Sequence, residues 1–386
     1  MSAKTGAGLR ELKKALGVAA AEIPGKDAAR YFRLPIDRAF AMKGFGTVVT
    51  GTLISGGVSA EDEVELFPGG TRLRVRGVQS GGKSVARAIA GQRTAVNLAG
   101  IDHGDVKRGM TLAALGRFRT TRRVDARLML LPSARKLKHR ARVHFHAGTA
   151  ETIAEVLLHG QNVLLPGQSA LAHLRLQEEV LLLRGDRFIV RQFSPVVTIG
   201  GGAILDPLAR RPMVRDTGRV AFLETLEGGK REEILAAMTE RALLGLALEE
   251  IVARTGWFPQ EIRETGLKLA ASGRIKIVSG EPLILLGRKT FDEVRRKISE
   301  RVERFHKENP LSPGIAREDL RANLGRRVKA ETFRAALEEL AGEKNLDVQG
   351  ELVKRAGSQI ELLPEEALAK GEMEKAFSNA CLTVPS

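Results

Sequence analysis

Residues 32–52 read FRLPIDRAFAMKGFGTVVTGT, and this stretch indicates the fold that surrounds it. Gly44 and Gly46 suit a tight turn, because glycine adopts backbone angles that other residues avoid. The Thr/Val run after the turn suits a strand whose side chains alternate across a barrel wall. We therefore predict that a small antiparallel β-barrel is built around this stretch.

The β-rich pattern extends well beyond this stretch. Pairs of glycines separate short β-rich segments throughout residues 29–117, and a second β-rich region fills residues 118–207. Short strands bounded by turn signals, with little helical periodicity, are typical of barrels. The sequence therefore predicts one barrel in each of these two regions.

The periodicity becomes helical after an Arg-rich, Pro-containing linker at residues 208–220. Helices followed by a β-hairpin are predicted twice, at residues 221–287 and 288–363, and this is the element order of a winged-helix module. Residues 364–386 begin another helix, which we interpret as a third module cut short. The predicted fold class is multidomain, β then α: two small antiparallel β-barrels followed by winged-helix modules of α+β type.

The composition narrows the classes of function. The chain has 62 Lys and Arg against 46 Asp and Glu, which gives a formal charge of +16. This excess indicates either a polyanionic partner or a solvated basic surface. We find no apolar run that would span a membrane and no apolar signal core, so a cytoplasmic protein without membrane attachment is expected. The single cysteine, Cys381, excludes an internal disulfide framework and a multi-cysteine metal cage.

Two segments resemble translational GTPases. Residues 2–9, SAKTGAGL, resemble the last guanine-nucleotide motif of that class, and the helix after them resembles the final helix of its GTP-binding domain. Residues 32–52 resemble the second domain of elongation-factor GTPases. The forms IDRAF and KGFGTV are more similar to the selenocysteine-specific branch, the SelB family, than to elongation factor Tu. The resemblance implies that residues 1–24 are a remnant of the GTP-binding domain, in which Ser2, Ala3 and Lys4 touch the guanine base.

The resemblance also implies an aminoacyl pocket. In the SelB branch an acidic residue, its basic neighbour and a later arginine line this pocket, and they correspond to Asp37, Arg38 and Arg93. A selenol is more acidic than a hydroxyl, so it is largely a selenolate near neutral pH, and guanidinium groups would favour it over neutral serine. Asp37 could form an ion pair with the aminoacyl ammonium. The alternative is a surface Asp–Arg ion pair that contributes little.

Further basic residues and two histidines are candidates for contact with tRNA. Arg72, Arg74 and Arg76 are predicted to share one strand face, opposite Leu73 and Val75. The remaining candidates are Lys43, His144 and His146. The two histidines alternate onto one strand face, but the spacing suggests no third ligand, so no metal is predicted and tRNA contact or barrel packing is favoured.

The function implied by the resemblance is that of a selenocysteine-specific translation elongation factor. The intact family binds GTP with Mg²⁺ and delivers selenocysteinyl-tRNA to the ribosome at recoded UGA codons. In this family the phosphate loop lies upstream of the loop at Ser2. The one G-x-x-x-x-G-K-[ST] match in this sequence, at residues 77–84, lies inside the β-rich region instead, so we predict no catalytic residue, no GTPase activity for this chain alone, and poor binding of GTP and Mg²⁺.

Partners follow from the same resemblance. We expect a monomer that binds the selenoprotein mRNA hairpin weakly or not at all, because the last winged helices of the family are missing. The main alternative is a free-standing RNA-binding adaptor derived from such a factor. A DNA-binding regulator based on the winged helices would leave both barrels unexplained.

Overall fold

A computed structural model describes residues 1–22, 25–42, 44, 46–211, 216, 218–325, 328–357 and 364–380. Lys43 and Cys381 lie outside these residues. The chain forms two compact units, one of Met1–Gly228 with Glu249–Pro259 and the other of Gly229–Leu248 with Gln260–Ser386. Within the described ranges, no helix combines the length and the apolar character that are needed to cross a membrane.

The first unit begins with a loop and helix α1 (Leu9–Glu22), as the sequence predicts. In the loop, the Ser2 carbonyl accepts a hydrogen bond from the Gly6 N–H at 3.0 Å. The Ser2 hydroxyl accepts another from the Thr5 N–H at 3.3 Å. None of the side chains of α1 is buried.

The first barrel is a closed ring of six antiparallel strands, joined in the order β4-β9-β1-β2-β8-β5 and closed by the pairing of β4 with β5. Its interior is filled by fully buried side chains such as Leu34, Ile36, Val49 and Val96. The strands of this region are β1 (Arg33–Met42), β2 (Gly46–Thr52), β3 (Gly57–Ser59), β4 (Glu63–Phe67), β5 (Thr71–Ser80), β6 (Lys83–Val85), β7 (Arg87–Ile89), β8 (Arg93–Ala99) and β9 (Thr111–Ala114).

The second barrel is also closed, with the strand order β10-β15-β13-β12-β16-β17. Phe145, Leu128 and Leu174 are fully buried inside it. Its strands, with the short ribbon β11–β14, are β10 (Thr121–Leu130), β11 (Leu137–Lys138), β12 (Ala141–Ala147), β13 (Ala150–Leu158), β14 (Val163–Leu164), β15 (Ser169–Val180), β16 (Arg187–Arg191) and β17 (Thr198–Asp206).

A run of three glycines lies inside β17, where neighbouring backbones approach closely. A Cβ atom at Gly202 would stand 1.8 Å from the Arg127 carbonyl oxygen, and one at Gly201 would stand 2.5 Å from that of Phe188. Real side chains cannot occupy such positions, so glycine is required here for strand packing. The run is part of the barrel wall and has no features of a phosphate loop.

The two barrels are fastened to each other within the first unit. The guanidinium of Arg33 donates two hydrogen bonds to the Asp186 carboxylate, each of 2.7 Å. Beside this ion pair, Phe67, Phe118 and Leu183 belong to a small buried apolar cluster. A bidentate pair over an apolar cluster fixes the barrels in one arrangement.

The remaining elements follow the predicted order of helices and hairpins. The two three-stranded sheets have the orders β18-β20-β19 and β21-β23-β22. The elements are α2 (Arg219–Gly228), α3 (Arg231–Arg241), β18 (Leu246–Ala247), α4 (Leu248–Thr255), α5 (Pro259–Ala271), β19 (Ile275–Gly280), β20 (Leu283–Gly287), α6 (Arg288–Glu308), β21 (Ile315–Ala316), α7 (Arg317–Asn323), α8 (Ala330–Gly342), β22 (Leu346–Gln349), β23 (Leu352–Arg355) and α9 (Pro364–Ala380).

The predicted fold class, two antiparallel barrels followed by winged-helix structure, is confirmed. The exact domain boundaries stay predictions. Helix α2 begins at Arg219, within the residues that the sequence assigned to a linker, and α2 belongs to the same compact unit as the barrels.

Candidate functional site

The predicted pocket residues lie on the first barrel, and a β-bulge positions one of them. Ile36 pairs with Gly51 and Arg38 pairs with Thr50, so Asp37 is an extra residue in β1 with no partner of its own on β2. A bulge bends its strand and changes the direction of the side chain. The bulge therefore gives Asp37 an orientation that regular strand alternation would not.

Asp37 and Arg93 form a bidentate ion pair. Arg93 Nη2 donates to Asp37 Oδ1 at 2.9 Å, and Arg93 Nη1 donates to Asp37 Oδ2. The Thr50 hydroxyl donates to Asp37 Oδ1 at 2.8 Å. The Arg93 side chain is 55% exposed and the Asp37 side chain is 23% exposed, so the pair is open to solvent mainly on its cationic side.

Both members of this pair are charged at neutral pH. The hydrogen bond from Arg93 lowers the pKa of Asp37 and outweighs the opposing effect of burial, with smaller lowering contributions from Thr50 and from the charges of Arg93 and Arg38. The same hydrogen bond raises the pKa of Arg93. Arg38 is exposed and forms no ion pair within the described part of the chain. The cluster thus carries one positive charge in excess.

The motif resemblance did not identify Thr50 as a pocket residue. The register of the predicted hairpin could have identified it, because Thr50 lies directly opposite Arg38 across the hairpin that the two glycines predict. A hydroxyl at that register position can reach the carboxylate of the bulged residue. The structure therefore brings together Asp37, Arg93 and Thr50, with Arg38 beside them.

The three arginines of β5 lie on one exposed strand face, while Leu73 and Val75 point into the barrel. Arg72 pairs with Glu63 and Arg74 pairs with Glu61. The charges of Arg72 and Arg74 are thus compensated by neighbouring carboxylates.

Arg76 has a different environment. It makes no ion pair within the described residues and lines an open cleft of about 680 Å³ whose other walls include Asp102, His103 and Asp105. Contact of these arginines with tRNA stays a prediction.

His144 and His146 lie on β12, half-buried and close to one carboxylate. Their Nδ1 atoms are 3.5 and 3.8 Å from the oxygens of Glu151, and the His144 ring lies 4.4 Å from the ring of Phe193. Burial lowers the pKa of His146. Among the described residues, no group of three or more His, Cys, Asp or Glu is arranged to hold a metal. The role of the two histidines, like that of Ser2, Ala3 and Lys4, stays a prediction.

A buried charged cluster joins strands β10 and β15 of the second barrel to the start of α2, and it was not anticipated from the sequence. Asp125 and His173, which are 1% and 0% exposed, approach within 2.8 Å between Oδ1 and Nδ1. Arg219, 6% exposed, donates to Asp125 Oδ2 at 2.6 Å. Burial would raise the pKa of Asp125, but the neighbouring His159 and His173 side chains and the charge of Arg219 lower it to about 2.

This cluster fastens α2 to the second barrel. Arg219 begins the helix, and near its other end Arg127 donates to Glu227 at 3.0 Å. Arg184 donates to the Leu226 carbonyl oxygen at 2.7 Å. Arg219, which the sequence assigned to a linker, therefore anchors α2 to the second barrel, because the buried carboxylate of Asp125 compensates the cost of burying its charge.

Sequence profiles of three known domains match this chain. The profile of elongation factor Tu domain 2 matches residues 46–113, within the first barrel. The β-barrel domain of the selenocysteine-specific elongation factor matches residues 123–211, and the winged helix of elongation factor SelB matches residues 300–354.

Two relatives found by sequence comparison agree with these domain matches. The selenocysteine-specific elongation factor of Desulfomicrobium baculatum is 32% identical over 397 aligned residues, which cover 100% of this chain and 61% of that protein. The one from Haemophilus influenzae is 34% identical over 227 residues, which cover 58% of this chain and 35% of that protein. The chain therefore spans less than two thirds of either relative.

A solved structure has the same fold. The crystal structure of the bacterial selenocysteine-specific elongation factor EF-Sec superimposes with a TM-score of 0.72 at 22% identity. The superposition covers 98% of this chain and 58% of that one.

Proposed function

We propose that this chain, which belongs to the family of selenocysteine-specific elongation factors, binds selenocysteinyl-tRNA for delivery to the ribosome at recoded UGA codons. The observation that carries the proposal is the cluster of Asp37, Arg93 and Thr50 with Arg38 beside it. It offers a carboxylate for the aminoacyl ammonium and guanidinium groups for an anionic side chain.

The excess positive charge supports selenium selectivity. A selenolate is an anion that can accept hydrogen bonds from guanidinium groups, whereas a seryl hydroxyl is neutral at the same pH. Charge-assisted hydrogen bonds are about twice as strong as neutral ones. Selenocysteine should therefore be favoured over serine by its charge rather than by its size.

The remaining parts of the proposal concern the nucleotide, the mRNA and the oligomeric state. We propose that GTP and Mg²⁺ are ligands of the intact family, and that the Ser2–Lys4 loop contributes to the guanine site there. This chain alone should not hydrolyse GTP, and detectable turnover by the purified chain would contradict that. We further propose a cytoplasmic monomer with little affinity for the selenoprotein mRNA hairpin.

Titration of selenocysteinyl-tRNA and seryl-tRNA against the wild-type chain and Arg93→Ala tests the pocket. The variant should lose about tenfold in affinity for the selenocysteinyl form, because a hydrogen bond to a charged group contributes roughly 1.5 kcal/mol or more. Its affinity for the seryl form should change little. Arg72→Ala is the matched control, since it removes an exposed, ion-paired arginine from the same barrel, and any loss of tRNA affinity that it causes should be equal for the two aminoacyl forms. An unchanged selenium preference in Arg93→Ala would show that Arg93 is not the selectivity residue.

A further inference from the structure

A short segment of the chain belongs to the first unit although the residues on both sides of it belong to the second. This segment, Glu249–Pro259, comprises most of α4 and the turn that leads into α5, and we call it the strap. The backbone continues from each end of the strap into the second unit. A change in the second unit can therefore act on the strap through the chain itself.

The strap is held on the second barrel by the end of α4. The Arg184 N–H donates to the Arg254 carbonyl oxygen at 3.2 Å, and Arg254 Nη1 donates to Asp206 Oδ2 at 3.3 Å. Gly256 lies so close to Leu183 that a Cβ atom there would stand 3.2 Å from Leu183 Cδ1. These contacts place the end of α4 against the connection between β15 and β16 and against the last residue of β17.

The strap also contacts the segment that leads into the first barrel. The ring of Phe258 lies 4.8 Å from the ring of Tyr31, and the guanidinium of Arg30 lies 5.7 Å from the Phe258 ring. Tyr31 in turn meets Phe118 edge-on at 5.8 Å, within the apolar cluster at the junction of the two barrels. The strap thus spans this junction.

Two aspartates on neighbouring strands receive α2 and α4, and the two anchors differ in strength. Asp125 and Asp206 are direct register partners on β10 and β17. The bond from Arg219 to Asp125 is 2.6 Å long, whereas that from Arg254 to Asp206 is 3.3 Å long. The other terminal nitrogen of Arg254 donates to Glu250 on its own helix at 2.8 Å. Arg254 therefore divides its hydrogen bonds, and Asp206 receives one long bond.

The pKa values of the two carboxyl groups agree with this difference. Burial raises the pKa of Asp206, although the charge of Arg254 opposes this effect. The pKa of Asp125 falls to about 2 in spite of its burial. The ion pair at α4 thus compensates the burial of its carboxylate less completely than the ion pair at α2 does.

We propose that the strap is a releasable latch, which leaves the barrel junction as a unit while both barrels stay folded. This latch is independent of the ligand proposed above. Segments with weak local anchors open at a lower free energy than the whole domain. A ligand shifts such an equilibrium only by its different affinity for the two states. A partner that binds the second unit more tightly when the strap is released would therefore loosen the junction of the barrels.

Native-state hydrogen exchange of two neighbouring amides tests the latch in the whole chain. The Arg184 N–H donates to the strap, whereas the Gly185 N–H donates to the Ile204 carbonyl oxygen inside the second barrel at 2.8 Å. After correction for intrinsic rates, Arg184 should exchange about tenfold faster than Gly185 or more, with little dependence on low concentrations of urea. Equal exchange with a common urea dependence would show that the strap opens only when the barrel unfolds, and would overturn the proposal.

Two variants test the two sides of the junction. Arg254→Leu should speed the exchange of Arg184 about tenfold, because a hydrogen bond between charged groups is lost, and should leave Gly185 unchanged. Tyr31→Leu should speed it about threefold, because the aromatic pair with Phe258 is lost. No change in Tyr31→Leu would show that the second barrel alone holds the strap. Equal acceleration of both amides would show general destabilisation, and either result contradicts the latch.

Glu249→Gln is the matched control, since it removes an exposed charge from α4 within the strap. Both amides should exchange as in the wild type. An effect on Arg184 as large as that of Arg254→Leu would show that any change of charge on α4 opens the strap, and would contradict the anchoring role of Asp206. None of these measurements uses tRNA, so their failure would leave the proposed function untouched.

Discussion

Replacement of Arg219 by leucine should destabilise the first unit by about 3 kcal/mol. The change leaves the carboxylate of Asp125 buried with one fewer partner, because the 2.6 Å bond from Arg219 is lost. Breaking a buried ion pair from one side typically costs about 3–5 kcal/mol. Hydrogen bonding from His173 at 2.8 Å compensates part of the remaining charge, so we expect the lower end of this range.

The assay is urea unfolding followed by tryptophan fluorescence. Trp257 is the single tryptophan of the chain, is 8% exposed and lies in the first unit, so its signal reports on the unit that contains Arg219. With a urea dependence of about 2 kcal/mol per molar, the transition midpoint should fall by roughly 1.5 M.

Arg127→Leu is the matched control for this prediction. It removes the ion pair at the other end of α2, where the Arg127 and Glu227 side chains are 29% and 39% exposed. Exposed pairs typically contribute less than about 1 kcal/mol, so the midpoint should move by under about 0.5 M. Equal shifts for the two variants would refute the argument that burial makes Arg219 the stronger anchor.

Two further predictions concern the second barrel. The pKa of Asp125 is about 2 in the folded chain against an ordinary 3.8, so its ionised form contributes about 2 kcal/mol of stability above pH 4 that is lost as the pH falls towards 2. The difference in unfolding free energy between wild type and Arg219→Leu should therefore narrow between pH 5 and pH 2. A difference that stays constant over this range would contradict the assignment of this stability to ionised Asp125. Gly202→Ala should cost at least about 3 kcal/mol, because its Cβ would stand 1.8 Å from a carbonyl oxygen. Gly77→Ala meets nothing within 4 Å and should stay within about 1 kcal/mol of wild type in the same fluorescence assay.

Much of the fold could be predicted because its signals are local. The alternation of arginines with Leu73 and Val75 in β5 reflects a two-residue period that any exposed strand face must follow. The hairpin around Gly44 and Gly46 follows from the conformations that only glycine adopts readily.

The candidate site was predictable as a set of residues but not as an arrangement. Asp37, Arg38 and Arg93 follow from motif resemblance, whereas the direct pairing of Asp37 with Arg93 joins residues 56 positions apart. The β-bulge that aims Asp37 leaves no distinct pattern in the sequence. Only the closed barrel brings β8 next to β2 and so places Arg93 near the bulge.

The sequence by itself predicted the two barrels, the winged-helix order and a candidate set of pocket residues, and it indicated a resemblance to the selenocysteine-specific elongation factors. The tertiary structure alone decided which charges are compensated: Arg72 and Arg74 by carboxylates, Arg219 by Asp125 from 94 positions away, and Arg93 by Asp37. The physical reason is that periodicity and turns depend on neighbours along the chain, whereas charge compensation depends on strand register and barrel closure.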